Sequence, residues 1–133
     1  MRCFIDTNIL ISAGLFPESV PALALEKALT PPHVAVVCDY ALSEMHRVTN
    51  RKFPHRSREL DTLLYRLLYT VDRVATPNDT HDDELKIRDI NDRPLLRAAL
   101  EAKVDVFITG DRDFLESTIT NPKIITASEF VRG

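Results

Sequence analysis

The chain has 133 residues, 44% of them hydrophobic, with 17 basic and 20 acidic side chains and a formal net charge of −3. This is the length of one ordinary domain, and the hydrophobic content excludes a wholly disordered chain. No apolar run approaches the roughly 20 residues that span a bilayer, and no basic-then-apolar signal pattern opens the chain, so a soluble, cytoplasmic protein with no membrane partner is expected.

In chain order, Arg2–Ile5 reads as a short apolar strand and Asn8–Phe16 as a short helix stopped by Pro17. Val20–Leu29 carries Val20, Leu23, Ala24 and Ala28 near helical spacing and ends at Pro31-Pro32. HVAVVC, His33–Cys38, is a β-branched run of the length of a buried parallel strand. Tyr40–Val48 reads as a helix with Leu42, Met45 and Val48 on one face. Pro54 breaks the chain, and Ser57–Tyr69 follows as a strong helix with Leu60, Leu63, Leu64, Leu67 and Leu68 at one stripe. That stripe packs into the core by default, with a dimer interface as the alternative. Tyr65 and Tyr69 lie near it and are expected to pack rather than stack on bases.

Thr70–Ala75 is a weak strand, Thr76–Asp83 a polar loop, and Glu84–Ile87 a short helix. Asn91-Asp92-Arg93-Pro94 has the form of a helix start, with an Asx cap and proline in the first turn of a helix over Pro94–Lys103. Asp105–Thr109 is a strand, Gly110–Leu115 a turn into a short helix, Lys123–Thr126 a last strand, and Ser128–Val131 the start of a C-terminal helix. Strands alternating with helices imply an α/β fold with a parallel sheet covered on both faces. The C-terminal ends of its strands share one edge, where such sheets hold their sites.

Two cysteines, Cys3 and Cys38, sit in strand-like runs and read as reduced core thiols rather than a disulfide framework. His46, His55 and His81 read as surface residues and His33 as a strand-entry residue, and no histidine pair has a metal-ligand spacing. The segment from Arg47 to Arg73 is locally basic, which suits a phosphate-contacting face and equally a solvated helix surface.

Acids recur where elements leave the core. Asp6 follows the first strand, Glu44 lies early in the helix after the second, Asp92 opens a helix, and Asp111 and Asp113 follow VFIT. In a parallel α/β layer these ends converge on one edge. Converging carboxylates repel, and a hard divalent cation such as Mg²⁺ or Mn²⁺ relieves that cost. The chemistry suited to such a site is phosphodiester hydrolysis. Each acid also has a plain reading: Asp6 and Asp92 as helix caps, Glu44 as a solvated helix acid, Asp111 and Asp113 as turn formers.

FIDTNIL at Phe4–Leu10, LSEMHRV at Leu42–Val48, DRPLLRAA at Asp92–Ala99 and VFITGDRDFL at Val106–Leu115 together resemble the PIN-domain nucleases, most closely the toxin-like (VapC-like) branch in bacteria and archaea. The resemblance runs over nearly the whole chain and implies a single PIN-like domain over 1–133 with a central parallel sheet of about five strands. It implies that Asp6, Glu44, Asp92 and Asp111 form the acidic quartet that holds Mg²⁺ or Mn²⁺. Asp113 is then a further or alternative ligand, and Thr7, Asn8 and Thr109 are polar residues orienting the acids. The implied activity is metal-dependent endoribonuclease, with Arg47, Arg51 and Lys52 as candidates to hold RNA. The implied partners are a small antitoxin and a second copy in a homodimer. In RDINDRPLL, Asp89 competes with Asp92. Leu95 and Ala99 follow Asp92 at helical spacing and favour it.

Two rivals remain at this level. A phosphoacceptor receiver domain would use Asp39 as acceptor, but needs an acidic pair after the first strand and a lysine where TGDRD stands. A PIN-fold protein that binds RNA or a partner without cutting would keep the fold and lose the chemistry.

Overall fold

The structure, a computed structural model, describes residues 1–133. The chain runs β1 (Arg2–Ile5), α1 (Thr7–Leu15), α2 (Val20–Leu29), β2 (Val34–Cys38), α3 (Asp39–Lys52), α4 (Ser57–Thr70) and β3 (Asp72–Val74). It continues as α5 (Arg93–Glu101), β4 (Val106–Ile108), α6 (Arg112–Leu115), β5 (Lys123–Ile125) and α7 (Ala127–Arg132). Single 3₁₀ segments at Pro54–Arg56 and Asp82–Lys86 precede α4 and α5.

All five strands are parallel, in the order β3-β2-β1-β4-β5. The α/β architecture expected from the alternating pattern is therefore present. β1 is central: Phe4 pairs with Val36 of β2 on one side and Phe107 of β4 on the other. The chain steps outward from β1 to β3, then returns to build β4 and β5 on the far side. Right-handed crossovers direct the connecting helices of these two halves to opposite faces, while α7, which follows β5, packs back on α2, where Lys27 Nζ donates to the Phe130 carbonyl at 2.7 Å. The order reverses beside β1, so the switch point where such sheets place their ligands falls at the C-terminal ends of β1 and β4. A receiver domain has the order 2-1-3-4-5, so this topology overturns that rival. Asp39 is tied up besides, accepting from the Thr76 backbone N–H at 3.0 Å.

The core is the buried sheet and its helix contacts. Phe4, Phe107 and Phe114 stack in series, with ring centroids 4.9 and 4.6 Å apart. Cys3 and Cys38 are buried free thiols, and burial pushes both upward in pKa, opposite to a reactive thiolate. Gly14 lets α1 meet α4 closely, since a Cβ there would lie 2.5 Å from Leu60 Cδ2. No single helix is long and apolar enough to cross a membrane.

Several element expectations shift. α3 extends to Lys52 rather than Val48 and stops just before Phe53-Pro54, where the residue before proline is driven out of the helical region. The third strand shrinks to Asp72–Val74, an edge strand paired only with β2. On α2 the buried residues are Ala22, Ala24, Leu25 and Ala28, while Val20 and Leu23 face solvent. On α4 only Leu60 and Leu67 are fully buried. Tyr65 and Tyr69 do not pack into the core: they are 67% and 76% exposed and meet each other edge to face. A single stripe is enough to seat this helix on α1, and residues at the stripe's margin project past the contact.

Candidate metal and nuclease site

Asp6 occupies the N-cap position of α1, yet its side chain caps nothing. It is 2% exposed, and its Oδ2 accepts from Thr109 Oγ1 at 2.6 Å. Asp92 repeats the pattern at the N-cap of α5, again without a side-chain cap. Capping is the ordinary use of Asp at these positions. The plain-cap reading of both acids is therefore overturned. Thr109 explains part of this: it is fully buried at the end of β4, beside β1, and also accepts from the Asp111 backbone N–H at 2.9 Å. One hydroxyl thus links the acid after β1 to the acid after β4.

Asp111 does cap, accepting through Oδ1 from the Asp113 N–H at 2.9 Å, which leaves Oδ2 for other contacts. Glu44 projects from α3, mostly buried, with Arg47 Nη2 3.7 Å away. Tyr40, one turn earlier, donates its hydroxyl to the Asn91 carbonyl at 2.7 Å, joining α3 to the loop that presents Asp92. Burial and the Glu44 charge raise the Tyr40 phenol. The sequence reading missed Tyr40, whose only signal is its place four residues before Glu44.

Asp6 feels the charges of Asp111 and Glu44, and Asp92 those of Asp111, Asp89 and Asp6. Burial pushes Asp6 up to about 7, opposed by the Thr109 hydrogen bond and reinforced by the charges of Asp111 and Glu44. Asp92 is raised to about 8, first by burial, then by its hydrogen bond to Asp111 and the charges of Asp111, Asp89 and Asp6. The carboxylates of Asp89, Asp92 and Asp113 each place an oxygen within 4.8 Å of the others. Two overlapping sets therefore meet at Asp92: one with Asp6 and Asp111, which Glu44 joins through Asp6, and a rim with Asp89 and Asp113. Asp89 is exposed, and its Oδ1 accepts from the Asn91 N–H at 2.9 Å.

Two polar neighbours behave differently. Thr7 Oγ1 is buried with no hydrogen-bond partner. Asn8 is exposed and hydrogen-bonds to none of the acids. Arg47, Arg51 and Lys52 lie exposed on α3, with Arg47 nearest the acids. Arg88, not singled out from sequence, donates to Asp113 Oδ1 through Nε at 2.9 Å and Nη2 at 2.5 Å.

The donor set fits a hard divalent cation. Every acid offers carboxylate oxygen, and no histidine or thiol lies among them. The retention of protons on Asp6 and Asp92 near neutrality marks a cluster that a cation would relieve.

The PIN domain family matches residues 2–113. No curated protein matches the chain. Among solved structures, VapBC2 from Rickettsia felis, bound to a DNA fragment from its promoter, aligns with a TM-score of 0.71. The identity is 14%, over 95% of this chain and 98% of that one. VapC20 from Mycobacterium tuberculosis, a Sarcin-Ricin loop cleaving toxin, aligns with a TM-score of 0.60 at 16% identity, over 86% and 93% of the two chains. At these identities the likeness concerns the fold. A family match over most of the length, on a sheet of matching architecture, is decisive: the chain belongs to the PIN-domain family.

Proposed function

We propose that this protein is a metal-dependent endoribonuclease of the VapC-like branch, acting as the toxin of a toxin–antitoxin pair, with residues 1–133 forming one PIN-like unit. The observation that carries the reading is the use of Asp6 and Asp92, two acids at helix starts whose side chains serve a shared acidic pocket instead of their helices. The family match and the two VapC-containing neighbours support it.

Asp6, Glu44, Asp92 and Asp111 would hold Mg²⁺ or Mn²⁺, with Asp113 and Asp89 at the rim. When bound, the ion supplies charge for phosphate oxygens and makes water acidic enough to act as nucleophile. The chain's own residues do the rest. Thr109 fixes the Asp6 carboxylate and the Asp111 backbone together. Tyr40 pins the Asp92 loop to the helix of Glu44. Arg47, Arg51 and Lys52 are positioned along one helix to hold the RNA backbone beside the acids. No side chain need form a covalent bond to RNA. A small antitoxin protein and a second copy of the chain are the partners this reading implies, in the cytoplasm.

The test is cleavage of end-labelled RNAs with Mn²⁺ or Mg²⁺, beside EDTA and the Asp92→Asn and Asp89→Asn variants. Fragments lost in EDTA and in Asp92→Asn support the assignment. Cleavage that survives Asp92→Asn and fails in Asp89→Asn moves the third ligand to the rim. Metal binding without cleavage of any RNA favours the binding-only alternative.

A further inference from the structure

The acids at the end of β1 would repel a nucleic-acid backbone, so a strand crossing them needs cations on both sides. Arg47 supplies one side, on α3 after β2. On the other side of β1, beyond β4, two arginines stand together. Arg88 reaches Asp113 at 2.5 Å and Glu116 at 3.9 Å, and Arg112 Nε lies 3.3 Å from Glu116 Oε1. Both remain open to solvent, at 74% and 85% exposure. Pairs whose guanidinium is this exposed contribute little to stability, and a guanidinium is well suited to a phosphate oxygen. Arg93, the other arginine nearby, is partly buried and donates to the Ile87 carbonyl, so it is already engaged.

We propose that Arg88 and Arg112 form a second phosphate-binding bank, opposite Arg47, across which single-stranded RNA lies over the acidic pocket. Asp113 and Glu116 hold the two guanidinium groups in place at the rim until the strand arrives. This rests on the RNA-cleaving reading above and adds to it the residues that grip the strand on its far side.

The experiment is fluorescence anisotropy of a short fluorescein-labelled single-stranded RNA, titrated with wild-type protein in Ca²⁺ across a series of salt concentrations. The Arg88→Ala/Arg112→Ala double variant is compared with Lys123→Ala/Arg132→Ala, which removes equal charge from exposed positions outside the acidic rim. Arg88→Lys/Arg112→Lys completes the set. Binding by the alanine pair at Arg88 and Arg112 should weaken on the order of tenfold at low salt. Its log K against log salt slope should fall by about 1.4, the contribution of two phosphates on a single strand. The lysine pair should keep most of the slope, the control should keep all of it, and thermal midpoints should hold. A slope unchanged in the alanine pair overturns the proposal, as does an equal fall in the control. A lysine pair that loses as much as the alanine pair assigns the effect to the Asp113 and Glu116 tether and also overturns it. If wild-type protein cleaves and binds RNA while the slope stays put, only this inference fails. If it neither binds nor cleaves, the ribonuclease reading fails with it.

Discussion

Thr109 Oγ1 donates to Asp6 Oδ2 at 2.6 Å across 103 residues of sequence, inside the sheet edge where β1 and β4 end. The same oxygen receives the Asp111 N–H. A residue with no charge thus sets the relation between two acids that come from opposite ends of the sequence. Replacing it by valine keeps the shape and removes both hydrogen bonds. Thr109→Val should lose about 1–3 kcal/mol of stability in denaturant titration, while Thr109→Ser stays close to wild type. Because the hydrogen bond holds Asp6 down, its loss should move the Asp6 titration further above about 7, followed by carboxyl NMR. A Thr109→Val protein that unfolds like wild type would show that this hydrogen bond is not holding the edge together.

The raised acids set the direction of the pH response. Asp6 and Asp92 have folded values of about 7 and 8 against 3.8 for the free group, so between these the folded state binds more protons than the unfolded one. Stability from this source is full below about pH 4 and is lost as pH rises through about 7 and 8. Glu26, Asp39 and Glu129 are lowered by their hydrogen bonds and act oppositely, adding stability above the free-acid range that is lost below it. Metal-free protein should therefore be most stable near about pH 5 and weaker at about pH 8. Asp6→Asn should flatten the decline. Mn²⁺ should raise the melting temperature more at the higher pH, since binding needs deprotonated acids. Thermal melts with and without EDTA across this range would contradict the picture if the metal-free protein gained stability toward pH 8.

Tyr40 is the second positioning contact. Its hydroxyl meets the Asn91 carbonyl at 2.7 Å, one residue from Asp92. Tyr40→Phe removes only that donor. It should cost about 1 kcal/mol in unfolding and weaken Mn²⁺ binding, measured by calorimetry, because Asp92 is then less firmly held against Glu44. Unchanged Mn²⁺ affinity would reduce Tyr40 to a packing residue.

Much of this site was legible because its acids sit at element ends, where a one-dimensional pattern marks a place in space. Asp6 after FI and Asp111 after VFIT could be put on one edge from strand pattern alone. What the acids do there could not. Asp6 and Asp92 look like helix caps in sequence, and only the absence of side-chain capping separates the two readings. Arg88 was invisible because its partner Asp113 lies 25 residues away and on a different element. Tyr40 was hidden because its partner is a backbone carbonyl, which sequence does not distinguish.

The leucine stripe of α4 shows the limit of periodicity. Leu60, Leu63, Leu64, Leu67 and Leu68 share one helical pattern, but α4 touches the rest of the molecule along a narrower line. Leu67 is fully buried, whereas Leu68, its chain neighbour, is 44% exposed. Burial, not hydrophobicity, decides the energetic role. Leu67→Ala should cost about 2–5 kcal/mol in denaturant unfolding, through lost transfer energy and a residual cavity. Leu68→Ala should stay within about 1 kcal/mol in a monomer, since half-exposed surface is given up and no cavity forms. The two can be read together on the same helix with the same chemical change. A Leu68→Ala penalty that approaches the Leu67→Ala penalty, and that shrinks as the protein is diluted, would mean that a second copy covers this face in solution.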